Sequence, residues 1–215
     1  MSTEYQEFML ELDAEAKSEE EFSEHSFFRN YAKLTSESGY TEDLEHSVYR
    51  AQGLQIDGYY CDIDGQLKDI LGTMTLIVCD YHTNTDELQS LNTDKINTLF
   101  KRAENFYKKC QKEEFFKNIP ETHAAYPLAQ IIYKYHKSLK KVRVYIFSNA
   151  KLATRMKRLE TKNIDNTSFT YNIFDFEEYS KLMKAKAGRS EIEIDIEEYG
   201  AYVIPLINAS IASSE

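Results

Sequence analysis

The chain has 215 residues, of which 42% are hydrophobic and 13% aromatic, so it can bury one sizeable core, and wholesale disorder is excluded. Its formal net charge of −10 disfavours indiscriminate binding to nucleic acid. The sequence has neither a run of about 20 apolar residues, as a membrane helix needs, nor a secretory signal, and its three cysteines show no metal-ligand spacing. We therefore expect a reduced, cytoplasmic protein with no membrane partner.

The hydrophobic periodicity predicts a succession of helices and strands. Residues 73–80 form a continuous apolar run, which indicates a strand buried on both faces. The most clearly specified helix has a cap at Asn92 or Thr93 and a single apolar stripe that reaches Cys110. In chain order, the predicted elements are helices over 3–16 and 19–38, strands over 54–61 and 73–80, the helix ending near Cys110, a helix over 122–138, a strand over 141–147, a short basic helix over 151–158, a strand over 168–174, a helix over 176–186 and a strand over 192–197.

This order predicts an α/β fold with a mixed central β-sheet flanked by helices. We expect residues 1–46 to form an acidic helical segment that packs on a core of residues 47–188. Residues 189–215 would add C-terminal strands. Because an apolar stretch at 202–208 lies close to the end of the chain, we expect a piece of a longer protein with a downstream domain.

The charges are divided along the chain. Residues 1–46 hold 13 acidic and three basic residues, whereas residues 95–158 hold 16 basic and four acidic residues. Two interpretations of the basic region stay open. It presents a surface that binds nucleic acid, or its lysines form a solvated face that pairs with the acidic N-terminal segment.

Two acidic side chains on consecutive predicted strands are the strongest candidates for chemistry. Asp57 lies within the first of these strands and Asp80 ends the second, so adjacent strands would bring both carboxylates to one cleft. Two convergent carboxylates are the minimal protein contribution to a Mg²⁺ site. His82 lies two residues beyond Asp80, and Glu24 on the preceding helix is a conceivable third acid. The alternative is that these acids are merely solvated.

Five segments, taken in order, resemble the N-terminal region of the AIPR (abortive infection phage resistance) family, and the resemblance extends over roughly residues 20–208. They are QIDGYY at 55–60, LIVCDY at 76–81, INTLFKRAENF at 96–106, VYIFSN at 144–149 and NIFD at 172–175. The resemblance implies a restriction-endonuclease-like core of the PD-(D/E)xK class. In that class one strand carries an Asp, and the next carries an acid, a spacer and a Lys, which together hold Mg²⁺ and polarise the attacking water.

The chain matches only part of this pattern. Asp57 matches the first Asp, and Asp80 supplies the second acid if the strand is aligned two residues further along, a shift that preserves side-chain facing. His82 then stands where the class has Lys. Histidine is shorter than lysine and neutral near pH 7 unless its pKa is perturbed.

Two hypotheses follow. In the first, the domain is a degenerate nuclease-like core that serves as an interaction or sensing module in a bacterial phage-defence protein, docking within the chain or in a homo-oligomer. In the second, it is an active nuclease in which Asp57 and Asp80 hold Mg²⁺ and His82 orients or deprotonates water. The cations that would steer DNA or RNA phosphates lie on the polar face of the long helix and are Lys101, Arg102, Lys108 and Lys109.

Overall fold

The computed structural model describes residues 2–61, 72–153 and 159–187. The helices in these ranges are α1 (Ser2–Ser18), α2 (Ser23–Glu37), α3 (Thr93–Cys110), α4 (Glu113–Lys117), α5 (Tyr126–Tyr135) and α6 (Phe176–Ala187). The strands are β1 (Glu45–Ala51), β2 (Leu54–Cys61), β3 (Thr73–Asp80), β4 (Ser90–Leu91), β5 (Lys141–Ser148), β6 (Lys151–Leu152), β7 (Lys162–Ile164) and β8 (Thr167–Phe174). The predicted strand at 192–197 and the apolar stretch at 202–208 lie outside the described residues.

Six strands form one mixed sheet in the order β1-β2-β3-β5-β8-β7. Strands β1, β2 and β3 are antiparallel neighbours, β3, β5 and β8 run parallel, and β7 is antiparallel to β8. The parallel pair of β3 and β5 requires a crossover, which helices α3, α4 and α5 provide. The predicted α/β class, with a mixed sheet flanked by helices, is confirmed.

The sheet is covered on both faces, which explains why β3 is apolar at consecutive positions. Leu76 and Val78 belong to a core formed with α3 and α5, whereas Ile77 and Cys79 belong to a second core formed with α1, α2 and α6. All four residues are at most 4% exposed. Because successive strand residues point to opposite faces, this pattern of burial requires helices on each side of the sheet.

The acidic N-terminal segment supplies much of the second core. Tyr5 and Leu12 of α1 and Phe27 and Tyr31 of α2 are each at most 1% exposed. The Tyr31 hydroxyl also donates a 2.8 Å hydrogen bond to the carbonyl of Ser148 at the end of β5. Since burying one such side chain stabilises the fold by about 1.5–3 kcal/mol, the segment is held by apolar packing as well as by charge.

The structure corrects one predicted element. Lys151 and Leu152 were expected to begin a short basic helix, but they form β6, which pairs with β4. The Lys151 N–H donates to the carbonyl of Gln89 and the Ala153 N–H to that of Leu91, so these groups are committed to strand pairing. The rest of that predicted helix, 154–158, lies outside the described residues.

Helix α5 is shorter than the predicted span of 122–138. It begins at Tyr126, and Pro127 lies in its first turn, where the missing N–H of proline costs no helical hydrogen bond. The sequence patterns did not predict four further elements, namely β1, β4, β7 and α4.

Candidate functional site

The pairing of β2 with β3 stops beside Asp57, and side chains replace the next backbone hydrogen bonds. The paired residues end at Gly58 opposite Ile77. Beyond that point the Asp57 carboxylate accepts a 2.6 Å hydrogen bond from the Cys79 N–H, and the Gln55 side-chain amide donates one of 2.7 Å to the Cys79 carbonyl. Both backbone groups of this buried cysteine are therefore satisfied by side chains of the neighbouring strand.

The Asp57 carboxylate is buried beside an arginine. Its side chain is 3% exposed, its Oδ1 forms an ion pair with Arg50 of β1, and its Oδ2 accepts a 3.2 Å hydrogen bond from Gln55. Burial raises the pKa of Asp57 above its usual value, and Arg50 and the hydrogen bonds offset this effect only in part. The same guanidinium lies 2.6 Å from Glu24 of α2. The conceivable third acid is thus linked to Asp57 through Arg50.

Asp80 ends β3 and contacts three donors. Its Oδ2 lies 3.0 Å from Nε2 of His82 and accepts a 3.0 Å hydrogen bond from the Ser148 hydroxyl. Its Oδ1 lies 3.2 Å from Nζ of Lys95. Burial alone would raise the pKa of Asp80, but the hydrogen bond and charge of His82, together with Lys95, outweigh burial and lower the pKa. Asp80 and His82 are therefore in direct contact.

Lys95 is a site residue that the sequence patterns did not select. It lies in the first turn of α3, where its N–H donates a 2.9 Å hydrogen bond to the capping side chain of Asn92. A cation is unfavourable at the positive end of the helix dipole unless an anion compensates it, as Asp80 does here. A lysine in the first turn of a predicted helix was therefore the sequence signal that could have identified Lys95 as a site residue.

The two candidate carboxylates lie at the same end of the sheet, because β2 and β3 are antiparallel. All four oxygens of Asp57 and Asp80 are engaged by donors of the chain, and no donor that we describe is shared between the two groups. Within the described ranges, no group of three or more His, Cys, Asp or Glu side chains is arranged to hold a metal ion. A Mg²⁺ ion at either acid would therefore have to compete with these internal donors for the carboxylate oxygens.

The predicted phosphate-steering residues divide between two sides of α3. Arg102 and Lys109 follow Lys95 at seven-residue intervals, so they share one side of the helix. Arg102 is partly buried rather than solvated, and its Nη1 donates a 3.0 Å hydrogen bond to Oε1 of Gln55. This side of α3 therefore faces β2 and connects to Asp57 through Gln55.

The other two predicted cations, Lys101 and Lys108, lie toward β7 and β8. They line a groove together with Lys162 of β7. Both are exposed, and neither forms an ion pair with an acid of the residues that the structure describes. Arg143 of β5 does pair with Glu42 of the acidic segment. The predicted pairing between the basic and acidic regions is therefore present at Arg143, whereas these two lysines of α3 face solvent.

A family model described as the abortive infection phage resistance protein N-terminal domain matches residues 27–180. The chain belongs to this family. The AIPR match begins within α2 and ends within α6, and it includes Asp57, Asp80 and the whole of α3. Membership implies a role in defence against phage. Searches of the curated proteins and of the solved structures gave no match.

None of the helices in the described part of this AIPR domain combines the length and the apolar character that crossing a membrane requires.

Proposed function

We propose that this AIPR domain is an interaction or sensing module of a phage-defence protein, built on a nuclease-like core that does not use a catalytic metal. The observation that carries the proposal is the engagement of every oxygen of Asp57 and Asp80 by the chain's own donors. Arg50 and Lys95 already supply the positive charge that a divalent cation would otherwise bring.

The placement of the two acids supports the restriction-endonuclease-like origin of the core. Asp57 and Asp80 lie on neighbouring strands at one end of the sheet, as the PD-(D/E)xK pattern requires. His82 contacts Asp80 at the position where that class has Lys. A core that keeps both acids but balances them with internal cations is the arrangement expected of a degenerate nuclease.

The exposed charges of the domain supply surfaces for docking. Helices α1 and α3 cover opposite faces of the sheet. Glu7 and Glu11 are exposed on α1, whereas Lys101 and Lys108 are exposed on α3. Surfaces of opposite charge on opposite faces favour association with complementary surfaces, including those of a second copy or of another part of a longer chain.

Metal binding and cleavage test the proposal. Calorimetric titration of the full chain with Mg²⁺ and Mn²⁺, and cleavage assays on single- and double-stranded DNA and RNA, should be run on the wild type, Asp57→Asn and the control Asp86→Asn, an exposed position. We expect no metal binding or cleavage that depends on Asp57. Metal binding or cleavage lost in Asp57→Asn and kept in Asp86→Asn would overturn the proposal.

An active Mg²⁺-dependent nuclease is the second candidate, and one observation favours it. The Lys95 ammonium lies 3.2 Å from Asp80, so a lysine from α3 stands beside the second acid although the strand itself carries His82. In this alternative a divalent cation must displace the chain's own cations from both carboxylates. If Lys95 also takes the role that the class gives to its motif lysine, Lys95→Met would abolish metal-dependent cleavage, and Lys112→Met, at an exposed position near the end of α3, would not.

A further inference from the structure

A groove between α3 and strands β7 and β8 lies on the flank of α3 that faces away from Asp57. It has a volume of about 330 Å³. This volume is at the lower end of the range of small-ligand sites. Three lysines line it, Lys101 and Lys108 from α3 and Lys162 from β7. The groove therefore gathers positive charge from two elements that are distant in sequence.

Buried groups fix the inner wall of this groove. The carboxylate of Glu104 is 9% exposed, and its Oε1 accepts 2.7 Å hydrogen bonds from Nζ of Lys162 and from the hydroxyl of Tyr171. The Lys162 ammonium also lies 5.1 Å from the centre of the Tyr171 ring. Burial, and then the hydrogen bond to Glu104, raise the pKa of Tyr171, so its hydroxyl stays a donor at neutral pH. Lys162 is thereby oriented before any ligand binds.

The two lysines at the rim are available to a ligand. Lys101 and Lys108 are exposed and are seven residues apart on one side of α3, so both extend over the same groove. With Lys162 and Glu104, the lining carries three positive charges and one negative charge. The resulting charge of +2 matches a phosphate monoester, which carries about −1.5 to −2 at pH 7.

We propose that this groove binds a small phosphate monoester. The ammonium groups of Lys101, Lys108 and Lys162 would donate hydrogen bonds to its phosphate oxygens. The net charge of −10 on the chain opposes the approach of a long polyanion, but it acts little on a small ligand that lies within a few ångströms of local lysines. The proposal goes beyond the proposed function, because it uses neither Asp57 nor Asp80 and holds whether or not those acids bind a metal.

Calorimetric titration of the full chain, in the presence of a chelator, tests the site with inorganic phosphate, adenosine monophosphate, ribose 5-phosphate, adenosine and a long single-stranded oligonucleotide. We expect the two monoesters to bind and adenosine not to bind. Tighter binding of adenosine monophosphate would identify a nucleotide site, and equal binding of both monoesters would show that the phosphate itself is recognised. Binding of none of the phosphates, or only of a long oligonucleotide, would overturn the proposal.

Two double variants separate a specific site from general charge. Lys101→Gln/Lys108→Gln removes both rim lysines, and hydrogen bonds to charged groups contribute about 1.5–3 kcal/mol each, so we expect monoester affinity to fall at least about tenfold. Lys112→Gln/Lys134→Gln removes the same charge from exposed positions outside the groove and should change affinity less than about twofold. An equal loss in both variants would contradict a specific site. The chelator makes this result independent of the metal-binding test above.

Discussion

Replacement of Arg50 by methionine tests whether the buried Asp57 depends on its countercharge. Methionine retains an extended apolar side chain but has neither a charge nor an N–H donor. In this variant the Asp57 carboxylate, with 3% of its side chain exposed, keeps hydrogen bonds only from the Cys79 N–H and the Gln55 amide among the donors described above. A buried negative charge is then left without a compensating positive charge.

The expected loss of stability follows from the burial of each partner. Removal of one member of a fully buried ion pair costs about 3–5 kcal/mol. The side chain of Arg50 is 38% exposed, and solvent screening reduces the expected cost to about 2–3 kcal/mol at pH 7. Glu24, which pairs with the same arginine, is 52% exposed, and such pairs contribute only about 0–1 kcal/mol. Glu24→Gln is therefore the matched control.

The cost of Arg50→Met should depend on pH. Because burial raises the pKa of Asp57 in the folded chain, the stability linked to this group is fully present below its unfolded pKa and is lost as the pH rises through its folded pKa. Without Arg50 the folded pKa rises further. The variant should therefore lose most stability at neutral pH and less as the pH falls toward about 4, where the unfolded group also takes up a proton.

Urea unfolding of the wild type, Arg50→Met, Asp57→Asn and the double variant measures this coupling. Arg50→Met should cost less in the Asp57→Asn background, since no buried charge remains to be compensated. A cost below about 1 kcal/mol at pH 7, or a cost independent of pH, would refute the reasoning.

Three further predictions concern the same region and the two cores. Gly58→Ala should destabilise the fold by about 1–3 kcal/mol in urea unfolding, because the added Cβ would overlap the Phe28 ring and lie 2.9 Å from the Glu45 carbonyl oxygen. Gly72→Ala is the control and should cost much less, because a Cβ at that position would have no atom within 4 Å. The pKa of Asp80 is lowered in the folded chain, so the stability that its ionised form contributes is present above its unfolded pKa and is lost as the pH falls through its folded pKa. Lys95→Met should therefore shift the midpoint of acid unfolding, followed by circular dichroism, to higher pH. An unchanged midpoint would contradict the ion pair. Burial raises the pKa of Cys79 and Cys110, so both thiols should react with a disulfide reagent only as fast as the chain unfolds. Because Cys61 is only partly buried, the labelled positions must be identified by peptide mapping, and rapid labelling at Cys79 or Cys110 in the native protein would contradict their burial.

The buried centre of the sheet could be predicted from the sequence because burial leaves a compositional pattern. The bounds of β2 and β3 match the predicted strands at 54–61 and 73–80, and the continuous apolar run of β3 correctly indicated burial on both faces. Strand β1 lies at the edge of the sheet, and Ser47 is its one buried residue. Its larger apolar residues, Val48 and Tyr49, are consecutive, so the strand has no alternation for a sequence pattern to detect.

The acids of the candidate site were recognisable, whereas the cations that neutralise them were not, and the difference has a physical cause. Arg50 comes from that edge strand, and its register against β2 shifts between His46 and Tyr49. Such a shift decides which side chains face Asp57, because a displacement of one residue reverses the facing of every side chain in a strand. Lys95 reaches Asp80 from the first turn of a helix that starts 13 residues beyond β3.

Whether a pair of acids can bind a metal depends on the charge left on their oxygens. In this chain Arg50 and Lys95 remove that charge without altering the acidic pattern itself. An AIPR domain with the same two acids and neutral residues at positions 50 and 95 would leave two buried carboxylates that only a bound cation or a proton could neutralise. The introduction of Arg50→Met and Lys95→Met together should therefore raise the affinity for Mn²⁺ above that of the wild type, as measured by calorimetric titration at neutral pH. If the double variant folds and binds Mn²⁺ no more tightly than the wild type, the internal cations do not control metal binding at this site.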